Sequence, residues 1–130
     1  MTREQRAAQI WPLLTLAASL RLTLTYKRVG ELIGAPPVSI GGWLEPIQSY
    51  CLVHDLPALT VLVVGESDGM PGSGFTGAEN VPAAQAAVFR HDWTRTPVPK
   101  PEELARALAE RPSNGVHSAA ERPGDGAVSA

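Results

Sequence analysis

The sequence predicts a single mixed α+β core, and three observations predict it. Short amphipathic segments stop at glycines and prolines, one run (Leu59-Thr60-Val61-Leu62-Val63-Val64) is almost wholly apolar, and a glycine-rich loop follows that run directly. With 130 residues, 44% hydrophobic and 18% charged, the chain is long enough for one domain with a real core and short for two ordinary ones. We read residues 1–95 as the domain, 96–112 as a linker with a short helix, and 113–130 as a disordered tail of small, proline and charged residues.

The first element is a helix over residues 3–20. Ala7, Ile10, Leu14 and Ala17 share a stripe widened by Trp11 and Leu13, while Arg3, Glu4 and Arg6 form a polar first turn. Pro12 removes a backbone donor and predicts a kink or a split. Leu22-Thr23-Leu24 is a short extended link. Thr25 then stands where an N-cap hydroxyl can accept from the amide of Lys27 or Arg28. The next helix is about two turns long, with Val29, Leu32 and Ile33 inward and Lys27, Arg28 and Glu31 outward. Gly34 supplies a left-handed stop, and Pro36-Pro37 forbid continuation.

Ser39 predicts the cap of another helix through Ile40, Gly41, Gly42, Trp43 and Leu44, broken near Glu45 by Pro46. A further helical run over 47–54 would place Ile47, Tyr50, Cys51 and His54 on one face. The apolar run 59–64 predicts a strand buried on both faces. The glycine-rich stretch from Gly65 to Gly77 predicts a loop or hairpin wing. Asn80 caps a helix with Pro82 in its first turn and Ala83, Ala87, Val88 and Phe89 on its apolar side. Thr96-Pro97-Val98-Pro99-Lys100-Pro101 is a stiff linker into a last short helix with Leu104, Ala107 and Leu108 inward.

The composition argues against several functions. A net charge of −2 supplies no global field for nucleic acid, so such a contact would need a local patch. The one cysteine, Cys51, leaves no internal disulfide and no cysteine-built zinc site, and fits a cytoplasmic setting. The apolar run after MTREQR is too short to span a bilayer and is read as a core helix, so no membrane association is expected. The three histidines show no metal-ligand spacing, and His54-Asp55 and His91-Asp92 fall at helix ends where the dipole accounts for them. No nucleophile, base and orienter can be named together, so neither an enzyme nor a cofactor is expected. Cys51, on the inner stripe, reads as a core residue. The loop with Gly72-Ser73-Gly74 lacks the Lys-Ser/Thr of a phosphate loop and reads as a wing, with a protein contact through Met70 and Phe75 as its other use.

Two short helices joined by Gly-Ala-Pro-Pro, then a strand and a wing, are laid out as in a winged helix-turn-helix. Small residues at the second helix start let backbone approach a phosphate. The alternative is plain packing, with glycines that only permit close helix contact.

These residues resemble a family. Leu24–Gly34 is similar to the TY-x-x-L/V-A/G-x-x-I/L-G helix of methylated-DNA–cysteine methyltransferases and alkyltransferase-like proteins. Ser39-Ile40-Gly41-Gly42-Trp43-Leu44 is similar to the A-V-G-x-A-L start of their recognition helix. Leu56-Pro57, the valine-rich run and the loop to Phe75 are similar to their P-C-H-R-V-V segment and G-x-x-G-Y loop. The resemblance implies a DNA-binding winged-helix scaffold and, for Tyr26, contact with the backbone near a flipped nucleotide. It also implies no alkyl transfer, because Ala58, Leu59 and Thr60 stand where the family's cysteine, histidine and arginine would be. Val38 stands in place of the intercalating arginine.

The expected fold is therefore a winged helix-turn-helix-like core with an N-terminal helix and a C-terminal helical extension. The expected function is non-enzymatic DNA binding or DNA-associated regulation. Its contact residues would be Thr25, Tyr26, Lys27, Arg28, Ser39, Gly42 and Trp43, a thin basic patch opposed by Glu31. The alternative is a protein-interaction domain on the same scaffold, with the 65–77 loop as its contact.

Overall fold

A computed structural model describes residues 1–72, 75 and 79–110. The described chain is mixed α+β: five α-helices, two short 3₁₀ turns and one two-stranded sheet. Helix α1 runs Arg3–Ser19, strand β1 Leu24–Thr25, α2 Tyr26–Ile33, α3 Pro37–Val53, strand β2 Val63–Val64, α4 Val81–Arg90 and α5 Pro101–Glu110.

Local chemistry sets most of these boundaries. Thr2 and Gln5 close a reciprocal capping box at the start of α1, a spacing the sequence carries openly. The Thr25 hydroxyl accepts from the Arg28 amide at 3.0 Å, and Asn80 accepts from Ala83 at 3.0 Å, both as expected from their position. Gly34 ends α2 with φ +72°, and the Ala35 amide closes onto the Gly30 carbonyl at 2.8 Å.

Three expectations are corrected. Pro12 and Pro46 lie inside α1 and α3, and both helices run unbroken past them, so neither the split at Pro12 nor the break near Glu45 occurs. Each proline costs one hydrogen bond, but Trp11 and Leu14 beside Pro12, and Leu44 and Ile47 beside Pro46, are buried, and Pro46 is buried itself. Helix α3 begins at Pro37 with Pro36 as its cap residue, so Ser39 lies inside the first turn, where its amide bonds the Pro36 carbonyl at 3.0 Å. Finally, Leu59–Leu62 coil into a 3₁₀ turn, and only Val63–Val64 form a strand. Their partner strand, β1, is two residues long, so Leu24 pairs with Val63 and Thr25 with Val64 in parallel register. The preceding backbone satisfies itself locally instead, with Val61 N–H bonded to Ala58 O at 2.9 Å.

Helix α3 is the centre of the fold, packed between α5, α1 and α2. The core joins Ile10, Trp11 and Leu14 of α1 to Ile40, Ile47 and Cys51 of α3, the buried 59–63 run, Val88, Trp93 and Leu104. Trp11 meets Tyr50 and Trp93 edge-on at 5.6 and 5.8 Å, and the Trp93 indole N–H donates to Val88 O at 2.9 Å. Helix α5 thus closes over the same core through Leu104 and Ala107. Within α2 the inward stripe is Val29, Gly30 and Ile33, while Leu32 is 54% exposed. On α4 Val88 is buried, Ala84 packs inward and Ala83 is exposed. The tail expected to be disordered lies outside the described residues, as do positions 73, 74 and 76–78 of the expected wing. No helix among the described residues is long and apolar enough to cross a membrane.

Candidate functional site

The two-residue parallel ladder has a local consequence. By pairing Thr25 with Val64 it sets the start of α2 beside the turn that leaves β2. That turn is tight: Gly65 N–H bonds Met70 O at 2.9 Å, Asp68 accepts from the Met70 amide at 3.0 Å, and Gly69 has φ +65°. Val64 and Pro71 then form an antiparallel bridge, and the Gly72 amide donates to the Tyr26 hydroxyl at 2.9 Å. A Cβ at position 72 would overlap that hydroxyl, so any other residue there would displace the Tyr26 ring from this contact.

These elements enclose a cleft of about 310 Å³. Tyr26 closes one side, and Pro37, Val38, Gly41, Leu44, Glu45 and Gln48 on one face of α3 form the other. Thr60, Gly72 and Phe75 complete it. Val38 is 90% exposed, whereas Thr60 is almost fully buried and its hydroxyl has no hydrogen-bond partner among the described residues. Such groups in a folded protein are uncommon and costly.

The expected contact residues separate into two groups. Thr25 caps α2 and Tyr26, Lys27 and Arg28 form its first turn, with Lys27 and Arg28 exposed and Arg28 ion-paired to Glu31 at 3.3 Å. Gly42 is exposed beside Gly41, near the cleft. Trp43 follows Gly41 by two positions, roughly 200° around the helix. It packs against the core there, with the Arg6 guanidinium 4.9 Å above its ring. Arg6 also donates to the Ile33 carbonyl at 3.1 Å, tying α1 to the end of α2. Ser39 is half-buried, roughly 160° from Gly41.

Glycine marks the open side of α3. At Gly41 and Gly42 an added Cβ would meet nothing within 4 Å among the described residues, and neither glycine has a positive φ. At Gly30 it would overlap the Ala35 carbonyl.

The remaining chemistry-bearing groups lie elsewhere. Cys51 is buried, and that burial pushes its thiol up to about 12, against a weaker opposing hydrogen bond from the Leu59 backbone. It is a protonated core residue at neutral pH. Burial also raises the Tyr50 phenol, with Glu103 and Cys51 adding to it, and His54 stacks on that ring at 4.1 Å. His91 meets Thr96 at 3.0 Å, and hydrogen bonds from Thr94 lower the Asp92 carboxyl. His54 and His91 cap α3 and α4 at their C-terminal ends. Among the described residues no three His, Cys, Asp or Glu side chains gather as a metal site would require. The chain matches no protein-family model, no curated protein and no solved structure.

Proposed function

We propose that this chain is a non-enzymatic nucleic-acid-binding module, a DNA-associated regulator on a winged-helix-like scaffold. The observation that carries this reading is the open side of α3. Two adjacent helical glycines, Gly41 and Gly42, have room for a side chain and no backbone need for glycine. A helical glycine costs about 0.5–1 kcal/mol against alanine, so these two weaken the helix without serving its packing. A bare helix surface suits close approach by a sugar–phosphate backbone. Lys27 and Arg28 supply positive charge from the neighbouring helix start, and the α2–Gly34-Ala35-Pro36–α3 order is that of a helix-turn-helix. The Arg28–Glu31 pair is exposed, and exposed pairs are weak enough for a phosphate to displace. The resemblance of Leu24–Gly34 and Ser39–Leu44 to the DNA-binding helices of alkyltransferase-like proteins supports the same face.

Fluorescence anisotropy of a labelled duplex, titrated at low and moderate salt, tests the reading. Binding should weaken with salt, and Lys27→Ala/Arg28→Ala should flatten the log–log salt slope by about two, one for each phosphate no longer neutralised. Absence of binding at low salt would overturn it. The exposure of Val38 at 90%, Leu32 at 54% and Met70 at 46% favours a second reading, a protein-interaction domain on this scaffold. A duplex-blind protein that retains a partner sensitive to Val38→Asp would establish that second reading.

A further inference from the structure

Helix α1 turns an apolar side to solvent over its second half. Leu16 and Leu20 are 57% and 58% exposed. Leu22, whose amide closes the end of the helix onto the Ala17 carbonyl at 2.9 Å, is 51% exposed. Beside them runs a groove of about 250 Å³, lined by Pro12, Thr15, Leu16 and Ser19 of α1 and by Trp93 and Thr94. The three hydroxyls in that lining already donate within the chain. Thr15 bonds the Pro12 carbonyl and Ser19 the Thr15 carbonyl, each at 3.1 Å, and Thr94 bonds Asp92. Covering the groove therefore leaves no hydroxyl hydrogen unpaired. From Ala7 to Leu20 the sequence holds no charged residue. Solvent-facing helix sides ordinarily carry charge, and the centre of an association surface is where charge is depleted.

We infer that a second copy of this chain docks here, α1 against α1 in antiparallel sense about a two-fold axis near Leu16. Two observations select a second copy. Across a two-fold, a charge close to the axis faces its own like, which is costly, and the charge-free stretch avoids this. The projection and the recess also have matching offsets. Leu20 lies about one helical turn past Leu16, and Pro12, in the groove lining, about one turn before it. Antiparallel pairing about Leu16 thus seats Leu20 of each copy in the other's groove, and the contact is made twice. None of these residues belongs to the duplex-facing set, so this docking stands apart from the nucleic-acid reading. One helix side and one groove make a small interface, so the dimer should be reversible, with a dissociation constant on the order of 10–100 µM.

The test is sedimentation velocity of the full chain, without nucleic acid, from about 1 µM to about 1 mM. The wild type should pass from monomer to dimer across that range. Leu20→Glu and Leu16→Glu should each weaken the dimer at least about tenfold while melting with the dilute wild type, since both positions are exposed. Val38→Glu, at an exposed position on α3, should dimerise as the wild type does. A dimer that survives Leu20→Glu, a dimer lost with Val38→Glu, or assembly beyond two copies would overturn the proposal. A wild type monomeric at about 1 mM would overturn it too. In that monomer, Leu20 methyls shielded from a soluble paramagnetic probe would assign the face to residues 111–130, and unshielded ones would leave it uncovered.

Discussion

The end of α2 and the first turns of α3 each hold two glycines, and they use them differently. Gly30, within α2, has the Ala35 carbonyl of the following turn where a Cβ would go, and Gly34 takes φ +72° to end the helix. The fold requires glycine at both positions. A few residues later Gly41 and Gly42 have ordinary helical backbone, and among the described residues nothing stands where their Cβ atoms would go, so any small residue would satisfy the fold. The opposite side of the same helix holds Ile40, Ile47 and Cys51 in the core. At its first turns α3 is packed on one side and bare on the other, while Pro46 and Ser49 are buried farther along, so only the start of the helix is free to serve a partner.

Gly30→Ala should have the largest effect, about 2–3 kcal/mol of destabilisation, because the obstacle is backbone and cannot rotate away; urea unfolding reads it out. An unchanged midpoint would mean that the turn is looser than its hydrogen bonds suggest.

The buried side of α3 can be probed through pH. Cys51 in the native state holds its proton up to about 12, against an ordinary value of 9.0. Between those values the unfolded chain has lost the proton and the folded chain keeps it. Stability from this group is therefore complete below pH 9 and falls as pH rises, by about 1.4 kcal/mol per unit. Comparing the alkaline unfolding slopes of the wild type and Cys51→Ala isolates that contribution, which the variant should lack.

Gly34→Ala should cost about 1 kcal/mol, since alanine must adopt a left-handed conformation there without any clash. Its unfolding midpoint should fall between those of Gly30→Ala and the wild type. Gly42→Ala should have the smallest effect and the opposite sign, a gain of about 0.5–1 kcal/mol seen as a higher melting temperature.

The sequence speaks clearly where a structure is decided within a few residues. Thr25, Gly34 and Asn80 each act on amides or dihedrals close by, and each does what its type and position suggest. The Thr2–Gln5 box was equally available as a spacing. Features set by distant chain segments were not legible. The 59–62 run has strand composition, but its backbone coils because β1 offers only Leu24 and Thr25 to pair with, a fact about another part of the chain. Pro12 and Pro46 look like breaks until the burial around them is known. The cleft was hidden for the same reason: Tyr26, Thr60 and Gly72 meet only after the ladder forms. Trp43 looked available beside Gly42, but helical geometry turns it under Arg6.

The most direct test of this contrast is one experiment on Gly41→Ala/Gly42→Ala, measuring its melting temperature and its anisotropy titration with labelled duplex at low salt. The variant should melt higher than the wild type and bind duplex at least about threefold more weakly, because two methyl groups stabilise the helix and obstruct the approaching backbone. A variant that melts lower, or that binds duplex as tightly as the wild type, would contradict the claim that these glycines serve a partner rather than the fold.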